Sequence, residues 1–163
     1  MIESTSPVDP ENARGQAEAW LLANQQPSIV LNLAGLYGGE RKPINFILKA
    51  APTLEALEVK SSLHLIHGDD VAAAILHCHE SSDDTLWGMR WIVADGNVYD
   101  WWHLAADVPG LPHHYREWAS QLASKNKVSL PRTTLRRQLN SAAFWQKTGA
   151  CPQHKRFYET PNM

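Results

Sequence analysis

The stretch Ser28–Ile29–Val30–Leu31–Asn32–Leu33–Ala34–Gly35–Leu36–Tyr37–Gly38–Gly39–Glu40–Arg41 decides how this chain folds. Its first six residues, β-branched at Ile29 and Val30 and following the helix-stopping Pro27, read as a strand buried on both faces. Gly35, Gly38 and Gly39 then imply a loop in which the backbone turns sharply or closely approaches something. A strand that is apolar on both sides belongs to a parallel sheet covered by helices.

The flanking segments fit that class. Upstream, Ala13 to Asn24 has helical spacing, with Ala17, Trp20, Leu21 and Asn24 on one face and Leu22 at its edge. Residues 1–12 read as an irregular N-terminal segment, and residues 13–163 as a single α/β unit. Downstream, residues 43–60 hold two short helices divided by Pro52, with Thr53 an N-cap for the second. Leu63–Ile66 is extended, and Asp69 or Asp70 is positioned to cap a helix from Val71 to His79 whose Val71, Ala74, Ile75 and Cys78 share a face. Arg90–Ala94 reads as a second buried strand. Helices follow over Tyr99–Ala106, His114–Ser124 and Ser141–Lys147, the last capped by Asn140 and stopped at Gly149. Only two strands are convincing, and two parallel strands do not make a self-sufficient sheet.

Composition narrows the function classes. The chain has 163 residues, 44% hydrophobic and 20% charged, with net charge −2, which argues against a polyanion-binding surface and hence against nucleic acid. Its longest apolar run, Val71 to Leu76, is far short of a membrane span, and its first residues lack the pattern of a secretory signal. The expected address is therefore cytoplasmic. Cys78 and Cys151 show no metal-ligand spacing and read as inert small hydrophobes.

Several segments in order resemble the C-terminal half of an extended or atypical short-chain dehydrogenase/reductase, the NAD(P)-binding epimerase/dehydratase-like group. RGQAEAWLL followed by IVLNLAGLYGGER is similar to that family's helix after the catalytic motif, its sixth strand and its Tyr-Gly loop. SLHLIHGDDVAAAIL is similar to its His-x-Asp-Asp helix start. RWIVADGNVYDWWHL resembles a late strand and helix, and RRQLNSAAFWQKTGACP its closing strand and helix. The closest flavour is that of fungal NAD(P)-binding proteins. The resemblance runs from about residue 3 to 153 and implies the C-terminal portion of a Rossmann-like fold, with the nucleotide-binding half missing.

The departures shape the functional expectation. No glycine-rich dinucleotide fingerprint is present. Aligned on Ala17–Glu18, the family's catalytic Tyr-x-x-x-Lys falls on Pro10 and Arg14. Proline has no hydroxyl to exchange a proton, and arginine cannot deprotonate. The chain is thus expected to be a truncated, catalytically impaired NAD(P)-binding reductase/epimerase-like protein. The alternative is a non-catalytic pseudoenzyme or interaction module that pairs with a full-length homologue. The resemblance implies NAD or NADP as cofactor, with Leu33, Ala34, Gly35 and Leu36 beside it. Tyr37 and Arg41 would then line the pocket of a small carbonyl or sugar-like substrate. Arg14, Tyr37 and His67 are the catalytic candidates. Partnership is expected through an exposed sheet edge at Ile29–Leu33, giving a homo- or hetero-oligomer.

Other conspicuous residues read as structural. His67 with Asp69 and Asp70 suits a helix start better than a base or a metal site. His77 and His79 lie about 200° apart on a helix and cannot share an ion. No metal is expected. His113 and His114 read as a solvated pair, and Arg132, Arg136 and Arg137 as a solvated basic face. Trp91, Tyr99, Trp101 and Trp102 read as core, and Trp87 as exposed.

Overall fold

The expected strand forms over Val30–Leu33 (β1) and changes partner as it leaves. A computed structural model describes residues 1–25 and 27–158 of the chain. β1 pairs in parallel with Arg90–Val93 (β5), Val30 beside Arg90 through to Leu33 beside Val93. The chain then passes through Ala34 into Gly35–Tyr37 (β2), which pairs in parallel with Leu65–His67 (β4). Ala34 N–H donates to the Val93 carbonyl, and the next residue, Gly35, donates to that of His64. Gly35 permits this switch, because a Cβ there would meet Leu65 Cδ2 at 3.0 Å and the His64 carbonyl at 3.1 Å. Asp95 N–H, donating to the Leu65 carbonyl, links the end of β5 to β4. Ser62–Leu63 (β3) and Tyr99–Asp100 (β6) add a short antiparallel ladder. The architecture is α/β, with parallel strands and flanking helices.

Two cores cover the strands. One packs Trp91 and Val93 of β5 and Ile66 of β4 against Gly68–Glu80 (α4) and Ala142–Thr148 (α7), through Ala74, Cys78, Phe144 and Trp145. The other packs Leu63, Leu65, Trp101 and Trp102 with four helices: Pro43–Ala50 (α2), Leu54–Glu58 (α3), Trp101–Asp107 (α5) and His113–Asn126 (α6). Pro43 opens α2, where its missing N–H costs nothing, and Thr53 Oγ1 caps α3 by accepting from Ala56 N–H. Gly149 ends α7 in the left-handed region at φ 67°. Trp91, Tyr99, Trp101 and Trp102 are buried as expected. No described helix is long and apolar enough to cross a membrane.

The structure corrects several local readings. The first helix, Ala13–Asn24 (α1), has the expected bounds but another inner face: Gly15 is buried, Ala17 is exposed, and Trp20 is 59% exposed. A polar seam holds α1 in place. Glu18 accepts from Arg14 Nε at 2.8 Å and Asn32 Nδ2 at 3.2 Å, with Arg90 Nε 2.9 Å away. That seam is also why β1 is only half-buried rather than apolar on both faces. α4 starts earlier than expected. Its cap is His67, whose Nδ1 accepts from Asp69 N–H at 3.2 Å, not Asp69 or Asp70. Ile75 lies outside the buried face of α4, which instead includes Asp70. Tyr99 belongs to β6 rather than to α5, and Asp100 caps that helix. Trp87 is half-buried against the second core. Arg132 leaves the expected solvated face to pair with buried Asp100.

Candidate functional site

β2 ends at Tyr37, and the loop after it turns back into α2, so side chains from both surround the strand's carboxyl end. The cleft they enclose measures about 460 Å³. Its apolar wall is Leu36, Phe46 and Leu65, and its polar rim carries Arg41, Lys42 and Lys49 against a single acid, Glu40. Among the described residues none of these three cations is held in an ion pair. All three are exposed at the rim and leave it net positive, which suits an anion. Phe46 packs on Trp101 with ring centroids 5.7 Å apart, placing a tryptophan behind one wall.

A second cleft, about 310 Å³, lies on the other side of β1 between α1 and the N-terminal segment. Arg14, Glu18, Asn32, Leu33 and Arg90 line it. Burial works to raise the Glu18 carboxyl, but the hydrogen bonds from Asn32 and Arg14 and the charges of Arg14 and Arg90 outweigh it and hold Glu18 below its ordinary value.

The residues singled out from sequence are therefore divided between sites. Gly35, Leu36, Tyr37 and Arg41 line the cationic cleft, and Leu33 lines the second cleft with Arg14. Ala34 packs against the core between them. Arg14 is not assembled with Tyr37 and His67: its guanidinium bonds Glu18 and, at 2.7 Å, Asn32 Oδ1. Tyr37 and His67 do meet, edge to face with centroids 5.0 Å apart. The Tyr37 hydroxyl is turned into the protein, donating to the His154 carbonyl at 3.3 Å. Burial, with the charges of Asp95 and Asp70, pushes it up to about 12. Sequence reasoning missed Lys42, which lies between the glycine loop and the next helix, Phe46 and Lys49, which sat in a stretch read only as helix, and His154, whose neighbours are distant in sequence.

The described residues do not fit a whole dinucleotide. A pyrophosphate needs a glycine-rich turn opening a helix whose first N–H groups face it. β4 runs directly into α4, but Asp69 and Asp70 occupy that first turn and repel a polyanion.

No protein-family model matches the chain, and no curated protein matches it significantly. Solved structures do match in shape. An NAD-dependent epimerase/dehydratase structure from Methylobacillus flagellatus superposes with TM-score 0.55 at 17% identity, over 96% of this chain and 54% of that one. The dTDP-glucose 4,6-dehydratase of Bacillus anthracis str. Ames, solved in complex with NAD, gives 0.52 at 15% identity, over 94% of this chain and 52% of that one. The chain thus spans about half the length of these structures and shares the fold of that half, a partial Rossmann-like fold.

Proposed function

We propose that this chain is the substrate-side part of a nicotinamide-dependent reductase or epimerase-like protein, and that the cleft after β2 holds a small anionic, sugar-like or carbonyl substrate. The observation that carries this reading is the cationic rim of Arg41, Lys42 and Lys49 over the apolar wall of Leu36 and Phe46. It lies where ligands of open α/β sheets bind, outside the carboxyl end of a strand. The neighbouring NAD-containing dehydratase supports a nicotinamide cofactor in the same class. In this reading Leu33–Leu36 supplies one wall for NAD or NADP, and the pyrophosphate cradle is not among the described residues. The chain alone is catalytically impaired, since Pro10 offers no hydroxyl and Arg14 is engaged with Glu18 and Asn32. Fungal affinity and a cytoplasmic address belong to the same reading and rest on sequence segments alone.

The open edge of β1 favours a second reading, a non-catalytic module that pairs through that edge. Among the described residues β1 has one strand partner, β5, and Leu33 is 39% exposed.

Titration of the purified chain with UDP-glucose, NADH and NADPH, followed by tryptophan fluorescence, separates the two. The first reading expects UDP-glucose to quench the tryptophan emission saturably and Arg41→Glu to weaken that binding several-fold. Nicotinamide binding, where detected, is expected to be lost in Gly35→Trp. Flat titrations of a folded chain overturn the first reading, and self-association of that same chain supports the second.

A further inference from the structure

We propose that a third cleft, where α3 passes into β3, binds a planar aromatic anion, an aryl carboxylate or aryl phosphate. It meets the cleft after β2 only at Phe46 and is independent of the function proposed above. Its volume is about 460 Å³, within the range of small-molecule sites.

The cleft runs against the charge of the whole chain. Acidic residues outnumber basic ones overall, 17 to 15, yet the cleft is lined by Lys60, Arg136 and Arg137 and by no acid. The carboxylates next to its lining residues in sequence are engaged elsewhere, Glu58 with Lys125 and Asp100 with Arg132. Among the described residues none of Lys60, Arg136 and Arg137 has an ion-pair partner. Three cations gathered without a counter-charge repel one another, and an anion between them relieves that repulsion.

The backbone holds these charges together. Ser61 Oγ accepts from Arg136 N–H at 2.7 Å, and the Ser62 hydroxyl donates to the carbonyls of Arg136 and Arg137. In an extended segment neighbouring side chains point to opposite sides, but here both arginines line one cleft. A left-handed turn at Arg137, with φ 55°, goes with that arrangement. Non-glycine residues adopt this conformation only at a cost, and the other described example, Lys127, is accounted for as the C-cap of α6.

The apolar half of the cleft is aromatic. Phe46 is 47% exposed and packs on Trp101, and Lys60 Nζ stands 5.4 Å from the Trp101 ring centroid. Val59 and Leu63 complete that wall. A flat ring laid against it brings an attached anionic group to the arginines, whose planar forks take two oxygens of a carboxylate or phosphate together. A bare inorganic anion leaves the aromatic wall wet, and a neutral ring leaves the cations unpaired.

The test is isothermal titration calorimetry of the purified chain with 1-naphthyl phosphate and with 1-naphthoate. Saturable binding of one equivalent of at least one probe is expected, and the tighter of the two names the head group. Neutral 1-naphthol and inorganic phosphate should bind at least about tenfold more weakly. Arg136→Glu and Arg137→Glu, both at exposed positions, should each weaken binding about tenfold or more, whereas Arg41→Glu, on the far side of Phe46, should stay within about twofold of the parent. Circular dichroism checks that each variant folds, and Lys60→Gln serves if neither arginine variant does. Binding of neither probe overturns the proposal, as does equal binding of 1-naphthol or an affinity unchanged in the folded variants. A loss confined to Arg41→Glu places the anion in the cleft after β2 and overturns it as well.

Discussion

Arg132 grips Asp100 through both side chain and backbone: its Nε lies 2.9 Å from Oδ1, and its N–H donates to Oδ2 at 2.7 Å. Asp100 also caps α5 by accepting from Trp102 N–H, and the Arg132 guanidinium sits 3.9 Å over the Trp102 ring. One arginine thus neutralises a buried carboxylate, stacks on a core tryptophan, and ties the 131–139 segment to α5. Removing it strands a charge where water cannot reach. Arg132→Ala is expected to lower unfolding free energy in urea by about 3–5 kcal/mol. Arg132→Lys, which keeps the charge but loses the fork and the stacking, should fall between. Equal stability of all three chains would show that Asp100 needs no partner.

That pair also marks how far the sequence could be read. The bounds of α1, capping Thr53 and the Gly149 stop were legible because each depends on residues within one turn, whereas the starts of α4, α5 and α7 were misplaced by one to three residues. β1 and β5 were legible from their β-branched and apolar runs. Arg132 looked solvated because its partner is 32 positions away, and the Trp20 face of α1 looked buried because spacing cannot reveal that a polar seam does the anchoring. The cleft was half legible: its glycine loop stands out, whereas Lys49 and Phe46 reach it only because β2 turns into α2. His154 gave no local signal at all.

His64 makes stability depend on pH. It is buried between two backbone groups, with Nδ1 3.1 Å from the Asn97 carbonyl and Nε2 accepting from Leu139 N–H at 3.1 Å. Burial pushes its pKa down, against its backbone bonds and the nearby Asp95 charge. On acidification the unfolded chain therefore takes up this proton first. The contribution is complete above the unfolded value near 6.5 and is lost as pH falls from there through the lower folded value. Asp95, pushed up by burial, contributes in the opposite sense over its own range. The expected slope from His64 is at most about 1.4 kcal/mol per pH unit. Urea unfolding at a series of pH values below neutrality should show that slope reduced in His64→Gln. An unchanged slope would remove His64 as its source.

Adjacent glycines in the loop after β2 should respond differently to alanine. Gly38 has φ 112° and stands against the His67 ring, whereas Gly39 has φ 55° and open space where a Cβ would go. Gly39→Ala pays only for the left-handed backbone, about 1 kcal/mol. Gly38→Ala adds displacement of the ring that caps α4 and should cost about 2–3 kcal/mol. Thermal unfolding of the two variants measures the difference, and equal losses would mean that His67 moves aside freely.

The open edge of β1 leads to the last expectation. Opposite β5 no described strand covers it, and Leu33 sits near its end, exposed and beside the second cleft. An unpaired edge of this kind is a template for another strand, and an inserted lysine is a common way to block it. If the edge is the route of association, the parent chain should sediment as a concentration-dependent oligomer. Leu33→Lys should then shift it to monomer while leaving the urea midpoint within about 0.5 kcal/mol of the parent, as for an exposed substitution. A monomeric parent chain, or an oligomer indifferent to the lysine, would assign the edge no part in assembly.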